Sequence, residues 1–221
     1  MKKIVLTMIL GLLLVGPAGA VTIGLHSSNV GIGTMSWSVS GTDISIWEDW
    51  TASGAGFLEL DSLDIFTDYT VTKYVTNNTG TDWDHFTNEL LDPTGQSEDG
   101  SYDIPTEPWV PAGFSHSNNM DGLSFAQGSG ISRTSTAFGS QVVDELAGRD
   151  FIDFFGGLVS GAGGEDTVSY GLRNHSSVQM PFLLVQRPNE YTGGEPIPEP
   201  TTMLLFGLGL AGVAIRNRFK K

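Results

Sequence analysis

The sequence contains no cysteine and few basic residues: 11 Lys and Arg stand against 25 Asp and Glu among 221 residues. Without cysteine, a disulfide scaffold, an iron–sulfur cluster, a cysteine-based zinc site and thiol catalysis are all excluded. The net charge of −14 argues against nucleic acid as a partner, because a phosphate-binding surface needs clustered Lys and Arg. With 39% hydrophobic residues, the chain still has enough apolar side chains to build one compact domain.

The basic residues are concentrated at the two ends of the chain. Six of the 11 lie there, whereas residues 21–198 contain five basic and 24 acidic residues, a net charge of −19. The N-terminal end reads Lys2-Lys3, then an apolar run over 4–15, then small residues that include Ala18 and Ala20. This order is typical of a secretory signal peptide, so residues 1–20 are predicted to form a signal helix that enters the Sec translocon and is cleaved after Ala20.

The C-terminal end has a second tripartite pattern. Pro198-Glu199-Pro200 cannot continue a helix, because proline fixes φ and restricts the residue before it. Residues 201–215 carry no charge, and as a helix they cover about 22 Å, less than the roughly 30 Å hydrocarbon core of a bilayer. The span is predicted from Thr201, Leu204, Leu205, Phe206, Leu208, Leu210, Val213 and Ile215, and the basic residues that stay cytoplasmic are Arg216, Arg218, Lys220 and Lys221.

Motif, span and basic cluster together resemble the PEP-CTERM sorting signal over residues 198–221. The resemblance implies a Gram-negative envelope protein whose tail is recognised and cut by an exosortase, an integral-membrane transpeptidase-like enzyme. It also implies a link to exopolysaccharide and biofilm formation. The expected course is export, transient anchoring in the inner membrane, and then transfer to the cell surface or extracellular matrix. Permanent anchoring by the same span remains an alternative.

The region between the ends predicts an all-β domain over 21–190, followed by a Pro/Gly linker over 191–197. Short runs rich in β-branched and aromatic residues alternate with turn residues, which favours an antiparallel β-sandwich of the jelly-roll or Ig-like type. A short helix is an alternative for 141–146, and 150–155 resembles a late strand of the β-domains that often precede such tails. The predicted strands are 21–25, 34–40, 43–47, 56–61, 68–76, 86–91, 109–114, 122–126, 166–172 and 180–186.

No residue pattern in this domain predicts catalysis. The histidines are dispersed, and the glycine–serine stretches lack the Gly-x-Ser-x-Gly order of a nucleophile turn, so we expect no enzyme and no catalytic residues. A secreted hydrolase would need a cleft that joins a histidine to carboxylates. The histidines in question are His26, His85, His116 and His175.

Two binding chemistries are left open. Acidic residues in loops offer the oxygen ligands that Ca²⁺ accepts, although they match no twelve-residue EF-hand loop and no cofactor is otherwise expected; the calcium candidates are Asp82, Asp84, Asp99 and Asp103. Tryptophan rings either pack in the core or stack on sugars, and strand alternation puts Trp37 on the face of Met35 and Val39. The five tryptophans are Trp37, Trp47, Trp50, Trp83 and Trp109, with Trp47-Glu48-Asp49-Trp50 the candidate sugar contact.

Two Asn-x-Ser/Thr patterns begin at Asn77 and Asn174. In a secreted chain this pattern is typical of surface loops.

Overall fold

The computed structural model describes residues 20–94, 108–117, 122–144, 149–175 and 181–190, and within them it contains strands and no helix. The prediction of an all-β domain is therefore confirmed. The thirteen strands are β1 (Thr22–Leu25), β2 (Ile32–Ser40), β3 (Asp43–Trp50), β4 (Gly56–Asp61), β5 (Asp68–Asn77), β6 (Trp83–Pro93), β7 (Phe114–His116), β8 (Leu123–Ser124), β9 (Thr134–Ser135), β10 (Phe138–Asp144), β11 (Phe151–Val159), β12 (Gly164–Asn174) and β13 (Phe182–Pro188).

The strands form two sheets. The first has the order β1-β4-β13-β6-β11-β10, with β7 paired to the end of β6, and the second has the order β2-β3-β5-β12-β8, with β9 paired to β12. Among the described strands, every pairing is antiparallel except that of β3 with β5, which run parallel with Trp47 opposite Tyr74. A single parallel bridge outside these pairings joins Ile65 to Asn174. The prediction of wholly antiparallel sheets is wrong at the pairing of β3 with β5, which β4 makes possible by crossing to the other sheet between the two strands.

One apolar core lies between the sheets. Side chains alternate along each strand, so β3 buries Ile44, Ile46 and Trp50 while Trp47 points to the opposite face. The same period on β6 and β13 sends Phe86 and Leu184 into this core. A smaller apolar cluster covers the outer face of the first sheet, where Phe57, Leu91, Leu183 and Val185 pack under Trp109, Val110 and Phe114.

Most strand positions agree with the sequence, and the exceptions have local causes. The predicted strand over 109–114 is wrong, because Pro111 and Gly113 (φ 92°) make turns and β7 begins only at Phe114. Of 122–126 only Leu123–Ser124 pairs, with the end of β12. Residues 141–144 continue β10 instead of starting a helix, because they pair with β11, whereas 145–148 lie outside the described residues.

The segments predicted at the two ends lie outside this description. They are the signal helix over 1–20, of which Ala20 alone is described, the linker over 191–197 and the apolar span within 198–221. Within the described ranges, no helix has the length and apolar character needed to cross a membrane.

Candidate functional site

An open groove of about 530 Å³ crosses the outer face of the second sheet. It runs over the four neighbouring strands β2, β3, β5 and β12, and outward-facing side chains of each strand line it: Thr34 and Ser36, Trp47 and Asp49, Tyr74 and Thr76, Glu165 and Thr167. The second sheet therefore presents a mixed aromatic and polar surface, which we name the aromatic groove.

A stacked pair of rings forms the apolar part of the aromatic groove. The ring centroids of Trp47 and Tyr74 are 5.3 Å apart and the ring planes differ by 11°. The two residues are 43% and 40% exposed, so each keeps a ring face in solvent. Offset stacked rings stabilise one another and hold a flat apolar surface in a fixed orientation. The parallel register of β3 and β5 is what places them side by side.

Tyr74 is a site residue that sequence reasoning missed. Its neighbour in the groove, Trp47, is 27 positions away, and only the parallel pairing brings the two together. Alternation along β5 does predict that Tyr74 lies outward, opposite in direction to Val71 and Val75. No short-range pattern in the sequence indicates which strand lies next to β5.

The remaining tryptophans divide between core and surface. Trp50 and Trp83 are fully buried, so Trp50 is not a sugar contact. Trp109 lies over the guanidinium of Arg187, with the ring centroid 4.1 Å from the guanidinium carbon. Trp37 shares the inward face of β2 with Met35, as predicted, yet it is 37% exposed because β2 is the edge strand of its sheet. Of the two alternatives left open for the tryptophans, core packing therefore does not describe Trp37, whose side chain is only partly covered.

The polar part of the aromatic groove is acidic. Asp49 accepts a hydrogen bond of 2.6 Å from Nδ2 of Asn78, and Glu165 is exposed at the start of β12. Asp166 has a different role, since its carboxylate accepts hydrogen bonds from Ser135 Oγ and from the backbone of 136 and 137. Asp166 thus anchors a loop, while Asp49 and Glu165 give this face its negative charge.

A second polar feature, the inter-sheet cluster, lies buried between the sheets. Lys73 Nζ donates to Asn88 Oδ1 at 3.1 Å and to Gln186 Oε1, and it lies 3.5 Å from Glu48 Oε2. Glu48 also accepts from Gln186 Nε2 at 2.8 Å and from Trp50 Nε1 at 3.1 Å. Burial lowers the pKa of Lys73 to about 8, against the opposing effect of the Glu48 carboxylate.

A third feature, the Glu89 cluster, lies on the outer face of the first sheet. Glu89 is fully buried and accepts two hydrogen bonds of 2.7 Å from Arg149, while Arg187 also donates to it and His116 Nδ1 lies 2.8 Å away. Burial alone would raise the pKa of Glu89, but the hydrogen bonds from His116 and Arg149 and the charge of Arg187 outweigh it and hold the pKa below its ordinary value.

The structure does not bring the histidines into one site. His26 lies beside Phe57 and Phe114, whereas His116 belongs to the Glu89 cluster. His85 lies 2.8 Å from Asp84, and His175 lies 3.0 Å from Ser124. Two of the four lie beside a carboxylate, His85 beside Asp84 and His116 beside Glu89, and neither lines the aromatic groove.

The calcium candidates are only partly described. Asp82 accepts a hydrogen bond from the backbone of Gly161, and Asp84 Oδ1 contacts His85. Asp99 and Asp103 lie outside the described residues. Across the residues the structure does describe, no three His, Asp or Glu side chains come together as a metal site.

Both glycosylation-type asparagines are fully buried, which corrects their assignment to surface loops. Asn77 Nδ2 donates to the carbonyls of Thr81 and Val159, and Asn174 Nδ2 donates to the carbonyl of Leu63. Each asparagine is the last residue of its strand, β5 or β12, and its side-chain amide satisfies backbone carbonyls of neighbouring segments.

The sorting residues Pro198, Glu199 and Pro200, with the span and basic cluster after them, lie outside the described residues. No curated protein and no solved structure matches the chain. A family model does match residues 196–218, and it describes the PEP-CTERM protein-sorting motif. The motif implies export, membrane-associated processing and an exosortase as the processing partner. This match confirms the PEP-CTERM sorting motif that Pro198, Glu199 and Pro200 had predicted at the C-terminal end of the chain.

Proposed function

We propose that this chain is a structural or binding protein of the cell surface or extracellular matrix, associated with exopolysaccharide, with a β-sandwich as its passenger domain. The signal peptide takes it into the Sec translocon, and residues 201–215 hold it transiently in the inner membrane before exosortase cleavage. The sorting motif at 196–218 is the observation that supports this course. The uncharged stretch of 15 residues is short for a permanent anchor, which favours processing.

Processing predicts a chain that ends near Pro200 in a host that has the exosortase. The measurement is C-terminal peptide mapping by mass spectrometry of the protein recovered from cells. Glu199→Ala, which changes the motif and leaves the apolar span intact, is expected to retain residues 201–221. A native chain that keeps residues 201–221 in the presence of the exosortase would instead establish permanent anchoring.

We propose further that the passenger domain binds polysaccharide in the aromatic groove. The observation that carries this proposal is the exposed stack of Trp47 and Tyr74, beside the hydroxyl groups of Thr34, Ser36, Thr76 and Thr167. The apolar face of a sugar ring packs on an aromatic ring, and the surrounding hydroxyl and carboxylate groups bond to sugar hydroxyls. Such binding requires no catalytic step and no metal ion.

The charge of the groove limits the class of polysaccharide. Asp49 and Glu165 line it, and the domain as a whole is strongly acidic. Like charges that face each other across a binding surface weaken association. A neutral glycan is therefore expected to bind better than one rich in uronic acids or sulfate.

Trp47→Ala is expected to lower the affinity for a neutral polysaccharide by about tenfold to thirtyfold, as loss of a central aromatic contact does. Affinity electrophoresis in gels that contain the purified polysaccharide measures the change. Trp37→Ala is the matched control, since Trp37 is exposed to a similar degree but does not line the groove. An equal loss for both variants, or none for Trp47→Ala, would contradict a binding site in the aromatic groove.

A further inference from the structure

The inter-sheet cluster contains an amine in an unusual place. Lys73 is the only lysine between residues 4 and 219, and its side chain is fully buried, although residues 21–198 carry a net charge of −19. Burying an ammonium group is costly unless it is paired and hydrogen-bonded, and an exposed lysine would serve solubility better. The position of Lys73 therefore calls for a role within the core.

Glu48 contacts both Lys73 and one carboxamide. Its Oε2 lies 3.5 Å from Lys73 Nζ, and its Oε1 accepts a hydrogen bond of 2.8 Å from Gln186 Nε2. Lys73 Nζ in turn contacts Gln186 Oε1. One carboxylate thus joins an amine and an amide nitrogen, which is the arrangement that a proton transfer between the two nitrogens requires.

Asn88 completes the surroundings of this pair. It lies directly opposite Gln186 in the pairing of β6 with β13, and its Oδ1 accepts from both Lys73 Nζ and Tyr170 OH. Its Nδ2 is buried and has no hydrogen-bond partner among the described residues. A donor of this kind, next to Gln186, is available to an oxygen on which negative charge develops.

We propose that Lys73 and Gln186 form an intramolecular amide bond that links the two sheets. The neutral Lys73 amine attacks Cδ of Gln186, and Glu48 takes the proton that the amine loses. Glu48 then gives this proton to Nε2, the Cδ–Nε2 bond breaks, and ammonia leaves. One C–N bond forms and one breaks, so the reaction needs no oxidant, no reductant and no other reactant.

The surroundings favour each part of this reaction. A lysine is an effective nucleophile only as the neutral amine, and burial lowers the pKa of Lys73 to about 8, so part of it is neutral near physiological pH. Phe86 lies under the amine, with its ring centroid 4.9 Å from Nζ, and keeps water away from it. The reacting groups are held by two packed sheets, which replaces a bimolecular encounter by fixed proximity.

The bond would connect β5 in the second sheet to β13 in the first, across 113 positions of sequence. Strand β13 is the last described strand before the sorting motif at 196–218. A pull on the C-terminal segment would therefore reach the covalent bond at Gln186, two positions before the end of β13, and β13 would not separate from the sheet alone.

The test is mass spectrometry of the folded, full-length protein after denaturation and digestion. We expect a branched peptide that contains both Lys73 and Gln186 and is lighter than the two free peptides together by one ammonia. This measurement on the wild-type chain does not depend on whether any variant folds. If folded protein instead yields the Lys73 and Gln186 peptides separately, each with its unmodified mass, the proposal is overturned. A branched peptide that joins Lys73 to Asn88 would overturn the choice of Gln186.

Variants assign the roles of the neighbours. Lys73→Met and Glu48→Gln are both expected to lack the branched peptide, the first because the amine is gone and the second because proton transfer is lost. Tyr170→Phe is the matched control in the same core: it removes only a hydroxyl that contacts Asn88 and is expected to keep the branch. A branched peptide that persists in folded Glu48→Gln would show that Glu48 does not act.

Discussion

Glu89→Gln is expected to lower the free energy of unfolding by about 3–5 kcal/mol, the usual cost of removing one partner from a buried ion pair. Glu89 is fully buried, while the side chains of Arg187 and Arg149 are 6% and 22% exposed. Glutamine keeps the shape and one acceptor oxygen but not the charge. The variant therefore leaves two guanidinium groups facing a neutral side chain in a largely dry site. Urea denaturation curves measure the loss as a lower midpoint at constant slope.

The stability lost in Glu89→Gln is expected to depend on pH, and the direction of this dependence follows from the lowered pKa of Glu89. Because the folded-state pKa lies below the ordinary value of 4.5, Glu89 contributes stability above about pH 4.5 and loses that contribution as the pH falls through the folded-state value. The stability difference between wild type and Glu89→Gln should therefore be largest near neutral pH and shrink on acidification. A difference that stays constant down to pH 2 would contradict this assignment.

Glu165→Gln is the matched control, because it makes the same chemical change at an exposed position. A surface substitution of this kind usually changes stability by no more than about 0.5 kcal/mol. If both variants lost the same amount, the effect would come from the net charge of the domain and not from the Glu89 cluster.

The sequence predicts where the strands of this domain lie better than it predicts which strands pair with each other. The period of two along β3 and β5 identifies inward and outward side chains correctly, because it depends only on neighbouring residues. The pairing of β3 with β5 depends instead on β4 crossing to the other sheet, and no local pattern encodes that. For this reason Trp47 was a candidate from sequence and Tyr74 was not.

The inter-sheet and Glu89 clusters were missed for a related reason. Lys73 falls on the inward side of β5 between Val71 and Val75, so its burial is readable from the alternation. The partners of Lys73 cannot be predicted in this way, because Glu48 and Gln186 come from strands that are distant in sequence. The sorting motif shows the opposite case: all of its parts are contiguous, and the family match confirms it at 196–218.

Trp47 and Trp50 lie three positions apart on β3, so the alternation of the strand places them on opposite faces of the sheet. Substituting each of them tests this placement. Trp50→Ala is expected to lower the free energy of unfolding by about 3–5 kcal/mol, because the indole is fully buried and its loss leaves a cavity. The ring packs edge-on against Trp83 and Phe86, with centroids 5.2 and 5.9 Å away. Thermal or urea unfolding measures the loss.

The backbone at Gly31 and Gly56 lies directly against the indole of Trp50: a Cβ at Gly31 would meet a ring atom at 2.3 Å, and one at Gly56 would meet a ring atom at 2.6 Å. Because the surrounding backbone is already fitted to the ring, the cavity in Trp50→Ala is not expected to close easily. Trp47→Ala, three positions earlier and on the other face, should cost about 1 kcal/mol, the worth of one exposed aromatic pair. The two substitutions should therefore separate folding from binding: Trp50→Ala reduces stability far more, and Trp47→Ala reduces polysaccharide affinity while the domain stays folded. Equal losses of stability would mean that β3 does not alternate as the structure shows.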